Sequence, residues 1–202
     1  GLAPTTTAGT GLGNQIPLAV AQKWVNGNGV TTNDDYYEIA VVEFTQRMHS
    51  DLAKETRLRG YVQLETPANA ATSKHIALTY PDGTPILDIK GAQVYAHDKP
   101  SYLGPIILVI RGTAVRMKFT NYLPLGAAKG AELFLPVDET IAGAGKGPDG
   151  VTKFTQNRAA VHWHGGDSPW ISDGTPHQWI TPAGETGVYS AIDPATGISM
   201  GR

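Results

Sequence analysis

The sequence predicts an all-β fold of antiparallel strands joined by many turns, and three observations carry that prediction. Gly (24) and Pro (14) are spread along 202 residues that are 41% hydrophobic and 17% charged, which suits short strands punctuated by turns. Val115, Met117 and Phe119 alternate with Arg116 and Lys118, so one face meets a core and the other meets water, as antiparallel sheets are usually written. Tyr80-Pro81-Asp82-Gly83 carries turn chemistry between apolar stretches. A chain of this length holds one domain with insertions, or one domain and a small appendage.

Taken in order, residues 1–35 show no sustained period and read as an extended arm with turns around Gly27-Asn28-Gly29 and Thr31-Thr32-Asn33-Asp34. Residues 36–202 read as the domain proper. Its first strand starts at Tyr36, where Tyr37, Ile39 and Val41 alternate with Glu38 and Ala40. Val42 and Phe44 then shift phase, as at a bulge. Leu58–Leu64 fits a second strand, and strands near Leu78 and over Ile86–Ile89 flank the Pro-Asp-Gly turn. The apolar run Gly104–Ile110 and the alternating segment Val115–Phe119 read as two adjoining strands either side of Arg111-Gly112. Residues 126–153, rich in Gly, Ala and Lys, read as a long insertion loop.

Several functions are excluded at this level. A net charge of -2 offers no basic face for nucleic acid. No cysteine means no disulfide, thiolate ligand or cysteine nucleophile within the 202 residues. No run reaches the ~18 apolar residues that a membrane span needs, and Gly1–Thr10 lacks the pattern of a signal peptide. The glycines of Gly9–Gly13 and Gly143–Gly147 lack the strand-to-helix setting and the lysine of a phosphate cradle.

The chemistry concentrates in Val161-His162-Trp163-His164-Gly165-Gly166. On a strand, side chains repeat every second residue, so both imidazoles share a face, with Cα atoms roughly 7 Å apart. Such a pair can share one metal or serve two metals about 3.5–4 Å apart, and spacing alone does not choose. Trp163 then points to the other face, where an aromatic packs the strand against its sheet.

The segment continues through Ser172-Asp173-Gly174-Thr175-Pro176-His177-Gln178-Trp179-Ile180 to Pro182-Ala183-Gly184-Glu185. That string resembles the N-terminal domain of multicopper oxidases (laccase and bilirubin oxidase-like proteins), where a His-Trp-His-Gly strand precedes an Asp-Gly turn and a Pro-x-Gly-Glu loop. Gly104-Pro105-Ile106 through Arg111-Gly112 to Phe119-Thr120-Asn121-Tyr122-Leu123-Pro124 resembles the hairpin before it. The resemblance covers about Gly104–Glu185, and more loosely Tyr37–Phe44. It implies a cupredoxin-like Greek-key β-sandwich, in keeping with the strand-and-turn reading. It also implies copper, with His162 a ligand of the type 2 ion and His164 of the type 3 pair. Asp173 matches an acidic residue outside the copper shell that assists protonation as dioxygen is reduced to water, although Asp before Gly is also ordinary turn chemistry.

The family's second histidine pair and its cysteine do not occur here, so the type 1 site is absent from this chain. The expectation is therefore a domain truncated before the second pair and inactive alone, with the remainder of the oxidase in the same or another chain. The reducing substrate is not legible, and by analogy the protein is periplasmic or extracellular. The principal alternative is a non-catalytic copper-binding or structural module in a multi-chain assembly. A cupin-like metal barrel also uses His-x-His on a strand, but Asp167 comes too early and Glu185 too late for its glutamate.

Other candidates have plainer readings. His177 holds a loop or bonds Asp173 and stays outside the ligand set. His49, His75 and His97 read as surface or packing histidines. Trp170, Trp179 and Tyr189 read as core edges, and Glu38, Glu43 and Glu65 as solvated strand faces.

Overall fold

The computed structural model describes residues 16–125, 132–141, 155–174, 179–184, 190–192 and 199–201. Most of the expected insertion loop, together with His177, Glu185 and Tyr189, lies outside the described residues. The chain divides into two compact units, Gly1–Phe119 and Thr120–Arg202. The described residues are all-β, with antiparallel sheets, compatible with a cupredoxin-like β-sandwich. Among them no helix is long and apolar enough to cross a membrane.

The first unit is built on strand β2, Thr31–Gln46, flanked by β1, Gln22–Val25, and β3, Thr56–Gln63. A short antiparallel pair, β4 (Ile76–Ala77) and β5 (Tyr95–Ala96), follows. Then comes β6, Val115–Asn121, which pairs with β2. Strand structure thus begins at Gln22, inside the stretch read as an extended arm. The phase shift near Val42 has a different cause from the one expected. β2 pairs with β3 in unbroken register from Ile39↔Gln63 to Gln46↔Thr56, and Ile39, Ala40, Val41, Val42 and Glu43 are all buried. A strand covered on both faces loses its alternation without a bulge. The irregularity falls instead in β1, between Lys23 and Val25.

The core of this unit gathers Ala19, Tyr37 and Ile39, with Ile107, Val115, Met117 and Phe119 packed against it, so the alternation of β6 reports its inward face. The Pro-Asp-Gly turn forms as expected. Gly83 sits at φ +84, its N–H bonds the Tyr80 carbonyl at 2.9 Å, and the Tyr80 N–H bonds Thr84 at 2.8 Å. Its flanks are linked by single bridges, Thr79↔Pro85 and Leu87↔Gln93, rather than by full strands. The run Gly104–Ile110 is not a strand either. Gly104 takes φ +66, Pro105 has no N–H to give, and the run's β-type pairing is one parallel bridge, Leu18↔Ile106. Leu108, Val109 and Ile110 are exposed.

In the second unit Asn121 ties three segments together. Its buried side-chain amide donates to the carbonyls of Asn157 (2.8 Å) and Ile180 (2.9 Å), and its side-chain oxygen accepts the Leu123 N–H at 2.9 Å. Asn157, also buried, donates to the Pro124 carbonyl at 2.7 Å. Ala159 and Ile180 exchange both backbone bonds, at 3.1 and 2.7 Å. Strands β7, Ser190–Ile192, and β8, Ser199–Gly201, pair antiparallel.

Candidate metal centre

The segment carrying His162 and His164 leaves this asparagine framework at Ala159 and reaches the surface. A full strand was expected over Val161–His164. The backbone instead makes one antiparallel bridge, His162↔Asp173, and turns at His164-Gly165, where Gly165 takes φ +80. The expected juxtaposition of the two imidazoles survives that difference. Their ring centroids lie 5.6 Å apart with planes tilted by 44°, and both residues are exposed. Trp163, between them, is half-buried.

Asp173 is brought directly against His162. It closes the 3-10 turn Trp170–Ser172, with its N–H bonded to the Trp170 carbonyl at 3.1 Å. His162 Nδ1 lies 2.6 Å from the Asp173 carbonyl oxygen and 2.9 Å from Asp173 Oδ1. A carbonyl and a carboxylate only accept, so Nδ1 carries the proton and donates it, which leaves the lone pair on Nε2. Histidines that bind metals are commonly oriented in this way by a partner on the other ring nitrogen. The pair is open to water, with side chains 51% and 56% exposed.

Gly174 permits this contact. It takes φ +70, and a Cβ there would lie 3.0 Å from His162 Cβ and 3.2 Å from the Val161 carbonyl oxygen. Any other residue would be strained and would press on the His162 backbone.

Two exposed imidazoles with ring centroids 5.6 Å apart suit copper as a partial ligand set. Among the described residues no group of three or more His, Asp or Glu comes together as a complete metal site. Among the described residues, His162 and His164 are side chains that could hold such an ion.

The other sequence candidates are placed as follows. His49 is exposed beside Asp51. His75 is exposed at φ +53, stacked on Tyr95 at 3.7 Å and bonded through Nδ1 to Glu65 at 3.0 Å. His97 is buried, and burial holds its imidazole below the usual histidine range. Trp179 is buried under the Arg158 guanidinium at 4.5 Å, as a core-edge reading requires, but Trp170 is 71% exposed and is not a core residue.

Glu43 is a larger correction, since it is no solvated strand face. Its side chain is 1% exposed and is clamped by Arg57, with Nε to Oε1 at 2.5 Å and a second contact through Nη2, and by Arg59, with Nε to Oε2 at 3.0 Å. Sequence reasoning also passed over Asn121 and Asn157. Asn121 stood out only as part of the Phe119–Pro124 motif, and Asn157 carried no signal.

No family model matches the chain. Among curated proteins it is similar to a laccase of Bacillus subtilis (strain 168), 30% identical over 155 residues that make up 76% of this chain and 21% of that protein. A laccase of Haloferax volcanii is 29% identical over 163 residues, 79% of this chain and 21% of that protein. A laccase of Bacillus stratosphericus is 40% identical over 79 residues, 39% of this chain and 13% of that protein. The chain spans about a fifth of the length of the first two. These similarities support a multicopper-oxidase-like family and, at that level, a copper oxidoreductase.

Proposed function

We propose that this chain is the first cupredoxin-like part of an exported multicopper oxidase, periplasmic or extracellular. There it supplies His162 and His164 to a trinuclear copper cluster whose other ligands come from the rest of the oxidase. The observation that supports this reading is the His162–Asp173 pair, which occupies Nδ1 and leaves Nε2 for a metal beside the neighbouring His164 ring, 5.6 Å away. When bound, copper would supply one-electron oxidation of a reducing substrate coupled to reduction of dioxygen to water.

The protein's own contribution is ligand geometry and protons. Both imidazoles must be neutral to bind, so copper binding weakens as the pH falls through the histidine range. Asp173 holds His162 in one tautomer, and its carboxylate, exposed to water, is placed to pass protons between solvent and the site.

The second reading is a copper-binding or structural module without chemistry of its own. The deciding experiment is oxygen consumption by the natural protein that contains this chain. Loss of activity in both His162→Ala and His164→Ala, with folding retained, supports the oxidase. Unchanged activity in both sinks it.

A further inference from the structure

The turn between β1 and β2 carries the chain's two Asn-Gly dipeptides, Asn26-Gly27 and Asn28-Gly29, and the structure holds them differently. An asparagine before glycine is chemically labile, because a glycine nitrogen without a Cβ beside it can close on the asparagine side-chain carbonyl carbon.

Asn26 is held fast. Its side-chain oxygen accepts the N–H of Asn28 at 3.0 Å and that of Val30 at 3.0 Å, the Asx pattern of a turn. Its backbone N–H donates to the Val30 carbonyl at 2.9 Å, and its carbonyl accepts the Gly29 N–H at 2.9 Å. Asn28, by contrast, is exposed at the tip, and its side chain has no hydrogen bond among the described residues. Gly29 takes φ +76, with open space where a Cβ would stand.

These bonds set what ring closure must disrupt. At Asn28 a single exposed bond is given up, from the Gly29 N–H to the Asn26 carbonyl. At Asn26 the carboxamide must turn away from two N–H donors, although the Gly27 N–H is itself without a partner among the described residues. One net hydrogen bond is worth roughly a fivefold factor, so closure at Asn28 is favoured by about that much.

We infer that Asn28 is a site of spontaneous deamidation, independent of the copper reading. The Gly29 nitrogen loses its proton and bonds to Asn28 Cγ, while the Cγ–Nδ2 bond breaks and ammonia leaves. Water then opens the resulting succinimide at either carbonyl, giving aspartate or isoaspartate, with no change of oxidation state. Both products place a carboxylate at the tip. The isoaspartyl form also lengthens the main chain by one carbon, which takes the Gly29 N–H away from the Asn26 carbonyl. Its exposed carboxylate suits an isoaspartate-specific carboxyl methyltransferase.

The test is incubation of the natural protein containing this chain at mildly alkaline pH, folded and in denaturant, followed by peptide mass mapping and by methyl transfer from labelled S-adenosylmethionine. In the folded protein Asn28 should convert about threefold faster than Asn26 or more, with isoaspartate among the products. In denaturant the two rates should become nearly equal. Asn28→Gln, whose ring would be six-membered, should remove the faster-forming product and most of the methyl acceptance. Equal rates in the folded protein, faster conversion of Asn26, or an Asn28 that stays intact while the denatured chain reacts would overturn the inference.

Discussion

Two carboxylates of this chain are paired with cationic or cationisable side chains, and they are built for opposite purposes. Glu43 sits inside a sheet covered on both faces, sealed between Arg57 and Arg59. Asp173 sits at the end of a 3-10 turn, more than half exposed, against an equally exposed His162. In the first case burial makes the pair expensive to break, because removing one partner strands an unpaired charge in a low dielectric. In the second, water screens the pair and little stability depends on it, yet a proton and a metal can reach it. The comparison teaches that similar pairings can differ in access: one pair is sealed, and the other is held at the surface by a few backbone bonds behind it.

The sharpest way to break this contrast is at Glu43. Glu43→Ala should cost about 3 kcal/mol in denaturant unfolding, since it removes the buried carboxylate that Arg59, 15% exposed, and Arg57, 39% exposed, both contact. A loss under about 1 kcal/mol would show that the cluster is hydrated after all. Next is the framework behind the open site. Asn121→Ala removes three hydrogen bonds, two buried and one partly buried, and should cost about 3 kcal/mol, with copper content falling alongside.

At the open pair the order reverses, with little effect on folding and much on metal. Asp173→Asn should change unfolding free energy by less than about 1 kcal/mol, while copper affinity drops roughly 10–100-fold as the Nδ1 anchor weakens. Gly174→Ala should weaken copper about tenfold, because its Cβ displaces the His162 backbone. Competition titrations against a chelator measure both.

The smallest expected effect is on pH dependence. Burial first, and Lys74 more weakly, lower the His97 pKa, against the raising influence of Asp98 and Glu65. The unfolded chain therefore binds the proton first. This contribution is complete above about 6.5 and is lost as the pH falls below it toward the folded value. His97→Gln should flatten the fall of the melting temperature as the pH drops below 6.5.

Particular residues show how far the sequence could be read. β6 was legible because one face of it meets the Ala19–Tyr37–Ile39 core, so apolar residues recur every second position. The juxtaposition of the His162 and His164 rings was legible because it needs only two positions separated by one residue. Glu43 was not, since burial of both faces of β2 erases the alternation, and its arginine partners are set by the register Glu43↔Arg59 across strands. Gly104–Ile110 misled because an apolar run reads as a buried strand, while a left-handed glycine and the proline after it keep it out of the ladder. Asn121 was read only as part of a motif, because the three carbonyl and amide partners it gathers are up to 59 residues away.

The most direct test of the copper reading is the metal content of the natural polypeptide that carries His162, counted per chain beside the double variant His162→Ala/His164→Ala. The account predicts several coppers per polypeptide in the wild type and a marked loss in the folded double variant. A wild type without copper when purified and reconstituted, or a double variant that keeps its full complement, would contradict it.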